Sequence, residues 1–153
     1  MSESSFMLLR DIGKLVLSEQ EEVHFSIDAY RGYRYVSVRR YLRTDNFVGP
    51  TRDGVTFTSE MIRALVPVLN RLPAEEKQMK LGQIAKLAKR AGICVVVTVA
   101  EFRGQRGLEL RQWEQDKGFT KKGIWLPLSK WTEIRKLFSE TLAALDEVPD
   151  IDF

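Results

Sequence analysis

The chain has 153 residues, 44% of them apolar, and carries 24 Lys and Arg against 21 Asp and Glu for a net charge of +3. One cysteine, Cys94, and one histidine, His24, exclude an intramolecular disulfide framework and a Cys/His zinc set. A nucleophile–base set, a phosphate loop and a metal-ligand cluster are all missing from the sequence, so a non-enzymatic protein without metal or cofactor is expected.

The first residues, MSESSFMLLRDIGK, lack an apolar stretch behind a basic start, and no apolar run is long enough to span a bilayer. The expected location is therefore the cytoplasm, in association with the nucleoid, or the nucleus. A chain of this length buries roughly 68–70% of its unfolded surface, whereas a unit of half the size is marginal alone. Two small halves would have to share one core.

In chain order, DIGKLVLS (11–18) reads as an extended start. Val23, Phe25, Ile27 and Ala29 then alternate with His24, Ser26, Asp28 and Tyr30, the period of a half-buried strand. Arg31-Gly32 offers a tight turn, after which Tyr35, Ser37, Arg39 and Tyr41 alternate with Val36, Val38 and Leu42. VGPTRDG (48–54) reads as a loop before a short strand at Val55 and Phe57. Ile62, Leu65, Leu69 and Leu72 predict a helix that Pro67 should kink or end early.

KLGQIAKLAKRAG (80–92) fits either an extended segment or a helical face, with Gly82 favouring the extended form. Val95, Val97 and Val99, the Arg103-Gly104 turn, and Leu108 and Leu110 opposite Arg111 and Trp113 form a second alternating pair. Ile124 and Leu126 follow, and Trp131, Ile134, Phe138, Leu142 and Leu145 predict a helix over about 129–146.

These elements form one unit written twice. YRGYRYVSVRRYLRTDNF (30–47) realigns without gaps on FRGQRGLELRQWEQDKGF (102–119), placing Tyr30 on Phe102, Arg39 on Arg111 and Phe47 on Phe119. Removing three residues from the loop brings Gly54 onto Gly123 and Ile62 onto Trp131. Chance alternation in two β-rich stretches is the competing explanation. The fold class expected is α+β, with two repeats at 1–73 and 74–146. Each repeat is a curved antiparallel sheet of about four to five strands followed by one helix, the two packed as an intramolecular pseudo-dimer, and an acidic tail occupies 147–153.

Charge is segregated: residues 31–43 hold five Arg and no acid, whereas DEVPDIDF (146–153) holds four acids and no base. With the valines and leucines facing the helix, Tyr30, Arg39 and Tyr41 share the open face of the first sheet, and Phe102, Arg111 and Trp113 that of the second. Aromatics beside guanidinium groups suit nucleic acid, because bases stack on rings and Arg neutralises phosphate. The alternative is cross-strand tyrosine packing solubilised by arginine, or a protein-docking face without nucleic acid.

At these residues the sequence resembles the single-stranded-DNA-binding domain of the eukaryotic transcriptional coactivator called positive cofactor four and its bacterial and phage relatives. The matching segments are IGK (12–14), Tyr30-Arg31-Gly32, VRRY (38–41) and RDGVTF (52–57), then Phe102-Arg103-Gly104, LRQW (110–113) and KKGIWL (121–126) leading to Trp131. The resemblance implies four-stranded curved sheets, each backed by a helix, pairing of two units, and single-stranded DNA across the sheets. It implies stacking at Tyr30 and Phe102, and DNA contact at Arg39 and Arg111 and in the basic loops through Arg52, Lys121 and Lys122. Leu42 and Glu114 stand where the family has a second stacking Trp, leaving Tyr41, Trp113, Phe47 or Phe119 to substitute.

The candidate nucleic-acid-binding set is completed by Arg31 and Arg34 flanking the first turn, Arg43, and Arg103 and Arg106 at the second turn. The acidic tail, through Asp150, Asp152 and Phe153, resembles the C-terminal tips of replication single-strand-binding proteins, which recruit replication partners; a solvated terminus is the plainer reading. The expected function is single-stranded DNA binding in replication, recombination or repair, with RNA and melted duplex as further candidate ligands. The alternative is a transcriptional coactivator or regulator of the same fold. No membrane partner is expected, and the pseudo-dimer would act as a monomer or assemble further.

Overall fold

The structure, a computed structural model, describes residues 7–148. Four strands, β1 (Met7–Val16), β2 (Glu21–Tyr30), β3 (Tyr33–Arg43) and β4 (Val48–Phe57), form one antiparallel sheet in sequential order. Helix α1 (Ser59–Asn70) follows. A 3-10 turn at Glu76–Gln78 leads into the second sheet, β5 (Gly82–Arg90), β6 (Ile93–Phe102), β7 (Gln105–Glu114) and β8 (Gly118–Pro127), and then α2 (Trp131–Glu147). The architecture is α+β, with two four-stranded antiparallel sheets each followed by a helix. Among the described residues no helix is long and apolar enough to cross a membrane.

Strand alternation decides the faces. In β2 and β3 the pairs Phe25 with Val38 and Ile27 with Val36 point to the core, and all four are fully buried. In β6 and β7 the equivalents are Val97 with Leu110 and Val99 with Leu108. The ambiguous 80–92 segment is strand β5, as its glycine favoured.

Two expectations are corrected. VGPTRDG is part of β4 rather than a loop: β4 is the edge of its sheet, where the missing N–H of Pro50 disrupts no inner ladder, and a register shift between Arg39 and Tyr41 absorbs the irregularity. Helix α1 also runs through Pro67 to Asn70. Pro67 and Arg63, whose carbonyl loses its partner, are both solvent-exposed, so that carbonyl is not left in an apolar interior. Thr58 caps the other end, its Oγ1 accepting from the Met61 amide at 3.3 Å.

One hydrophobic cluster contains residues of both halves. Helix α2 lies against β1 and β2 of the first sheet, α1 lies against β5 of the second, and the helices touch each other. Phe138 of α2 sets its ring edge-on to Phe25, with centroids 5.1 Å apart, and to Phe57 at 6.4 Å. The edge strands β4 and β8 also meet.

Candidate nucleic-acid interface

The face of each sheet away from its core strands is built by the same rule in both halves. Arg39 and Arg111 each place a guanidinium against a glycine of the neighbouring strand, Gly54 and Gly123. A Cβ on either glycine would come within 2.7 Å of the guanidinium carbon. Nη1 of Arg39 donates to the Thr51 carbonyl and Nη1 of Arg111 to the Thr120 carbonyl, each at 3.0 Å. The glycines that frame the repeat in the sequence are thus the floors on which its arginines rest.

The two tight turns are also repeated. Arg31 and Arg103 adopt left-handed backbone conformations, with φ of 50° and 53°, each followed by a glycine at positive φ. This conformation suits two-residue hairpins but normally selects Asn or Gly. Each arginine sits over the aromatic before it, Arg31 5.3 Å from the Tyr30 ring centroid and Arg103 5.2 Å from that of Phe102.

Tyr41 stacks face to face on His24, 3.6 Å between centroids and 11° between planes. Trp113 lies under Lys86 Nζ, 5.5 Å from a ring centroid. Phe47, Phe102 and Phe119 project into solvent, 47%, 63% and 62% exposed. Arg43 is exposed and donates to Glu22 at 3.2 Å.

The acid-free stretch of β3 does not make an acid-free face, because neighbouring strands supply the acids. Glu22 of β2 holds Arg43, and it also contacts Lys14 and His24. The hydrogen bond from His24, with the nearby cations Lys14 and Arg43, holds the Glu22 carboxyl below its ordinary value against the cost of burial. In the second sheet Glu109 pairs with Arg111 at 2.9 Å.

Arg34 and Arg106 are not brought to the open face. Arg34 pairs with Ala29 and Arg106 with Glu101, in the register of the core-facing residues. Arg34 donates to the carbonyls of Leu145 and Val148 at the end of α2 and to Ser59 Oγ. Arg106 donates to the carbonyls of Glu76 and Met79, just beyond α1, and faces Glu101. Arg34 thus reaches across to the end of the other half's helix, whereas Arg106 fastens the segment that leads into its own sheet.

Where the halves meet, a groove of about 530 Å3 is lined by Tyr30, Tyr35, Arg39, Arg52 and Thr56 from the first half and by Lys89, Arg90, Gln112, Lys121 and Lys122 from the second. Six of its lining residues are cationic and none is acidic. Lys89 Nζ donates to the Thr56 carbonyl and hydroxyl, at 3.1 and 2.6 Å, and to Gln112 Oε1 at 3.2 Å. Burial, then the neighbouring Arg90 and Lys122, push its ammonium down to about 8, with Glu114 opposing. No protein-family model matches the chain, and no curated protein matches it.

Of the predicted residues, the groove gathers Tyr30, Arg39, Arg52, Lys121 and Lys122. Arg111, Trp113, Phe102, Arg103 and Phe119 belong to the second sheet and its hairpins, while Tyr41 and Arg43 lie on β3 and Phe47 in the turn before β4, none of them lining the groove. Tyr35, Lys89 and Arg90 were missed, as was Trp125, which lies across Gly107 where a Cβ would enter its ring. Alternation with Tyr41 identifies Tyr35 from the sequence alone, whereas Lys89 acquires its surroundings only when the halves pack. Asp150, Asp152 and Phe153 lie outside the described residues.

Proposed function

We propose that this chain is a non-enzymatic single-stranded-DNA-binding protein acting in replication, recombination or repair. Its two halves work as an intramolecular pseudo-dimer of units similar to the positive cofactor four domain. The observation that carries the reading is the groove at the seam, where six cations from both halves surround two tyrosines with no acid in the lining. Phosphates need the cations, and unstacked bases need the aromatic faces that continue onto both sheets. The hydrogen bonds from Arg34 to the end of α2 support the pseudo-dimer, as does the packing of each helix against the other half's sheet.

In this reading the tail residues Asp150, Asp152 and Phe153 contact replication or transcription partners and compete with DNA for the basic surface. The protein then works in the nucleoid or the nucleus. Titrating labelled oligo-dT and a duplex of equal length across a salt series tests the proposal. Tight oligo-dT binding is expected, with a log–log salt slope of about −0.7 per neutralised phosphate. Preference for the duplex would favour a duplex-binding transcription regulator, and absence of binding to either would overturn the reading.

A further inference from the structure

The open face of the first sheet holds a second cavity, of about 370 Å3, whose lining differs in kind from the groove. It includes two carboxylates, Asp11 and Asp28, with His24, Ser26, Arg39 and Tyr41. Arg39 and Thr56 line both spaces, so cavity and groove adjoin. Asp28 accepts from Ser26 Oγ at 3.1 Å, and burial pushes its carboxyl up against that bond and the nearby Arg39.

A carboxylate beside a phosphate-binding groove repels the backbone, so what enters the cavity must present N–H donors rather than phosphate oxygens. A nucleobase does so on its edge. Guanine alone among the DNA bases places two adjacent donors, N1–H and the 2-amino group, on one edge, matching the two oxygens of a carboxylate. It also offers O6 and N7 as paired acceptors for arginine. Asp28 and Arg39 supply both complements in one cavity, with the stacked His24–Tyr41 pair in its wall.

The second sheet does not repeat this set. In the repeat alignment Val96 stands at the place of His24 and Ala100 at that of Asp28. We propose that the cavity of the first sheet is a guanine-selective base pocket, read chiefly by Asp28 and Arg39 and present once per chain. The inference rests on the single-strand-binding reading above and adds sequence preference to it.

The test compares oligo-dT with the same oligonucleotide carrying one central deoxyguanosine, or one central deoxyinosine, which lacks the 2-amino group. A single guanosine is expected to tighten binding about tenfold, inosine to lose most of that gain, and Asp28→Asn to abolish the guanosine-to-thymidine ratio. Equal affinity for all three oligonucleotides, with salt-dependent oligo-dT binding retained, would overturn the pocket and leave the general function standing. So would a guanosine preference that survives in a folded Asp28→Asn protein. The native-protein comparison decides the question even if that variant does not fold. Failure of every single strand to bind would instead remove the single-strand reading, and the pocket with it.

Discussion

Arg39 is held on Gly54 while Tyr30 lies at the hairpin end of the same sheet, and this separation lets mutation distinguish charge from stacking. Tyr30→Ala and Phe102→Ala are expected to weaken oligo-dT binding by about 1–3 kcal/mol each with an unchanged salt slope. Arg39→Ala is expected to flatten the slope by roughly 1. Gly54→Ala should reproduce the Arg39→Ala slope, because the added methyl occupies the guanidinium's resting place. Equal loss of thermal stability in the aromatic variants, without a binding defect, would return these side chains to a purely structural role.

Lys89 gives a second test at this scale, through pH. Its folded-state value is pushed down to about 8 from an ordinary 10.5. Between those values the unfolded chain binds more protons than the folded one, so this residue's cost to stability is full below about pH 8 and fades as pH rises through the window. Bound phosphate would raise the value again, so binding takes up a proton. Affinity for oligo-dT is expected to fall as pH rises above about 8 in the native protein and to stay level in Lys89→Arg, as measured by titration at fixed salt.

At the scale of elements, the two inward-facing arginines predict a phenotype opposite to that of a DNA contact. Arg34→Ala removes charged hydrogen bonds to the last carbonyls of α2 and should cost about 2 kcal/mol of stability in denaturant unfolding, with the salt slope unchanged. Arg106→Ala should behave alike at the segment beyond α1. A flattened slope in either variant would place that arginine on DNA.

The inward direction of both arginines was legible. Arg34 shares parity with Val36 and Val38, and Arg106 with Leu108 and Leu110, so the alternation that assigned the core also assigned them. Proximity to the turn outweighed that rule in the sequence reading. The strands, the repeat and the helical stripes were equally legible because periods of 2 and 3.6 are local properties. Register was not local: that Glu22 meets Arg43, or that Arg39 folds onto Gly54, depends on which residues face each other across strands. The edge position of β4, which admits Pro50, likewise follows from sheet order rather than from composition.

For the whole molecule, the decisive property is that neither half encloses a core of its own. Phe138 of the second half packs on Phe25 and Phe57 of the first, α1 lies on β5, and the groove takes walls from both. Units of this size are marginal even with a complete core, and each of these would expose the sheet surface that the opposite helix covers. Chains comprising residues 1–73 and 74–153 are therefore expected to lack a cooperative unfolding transition when separate. Mixing them should restore both the transition and oligo-dT binding, because the docking surfaces are specific and reciprocal. Circular dichroism melts of each fragment and of the mixture give the comparison. A sharp independent transition in either fragment would show that the helix packs on its own sheet when alone, and would make the shared core a consequence of linkage rather than a requirement for folding.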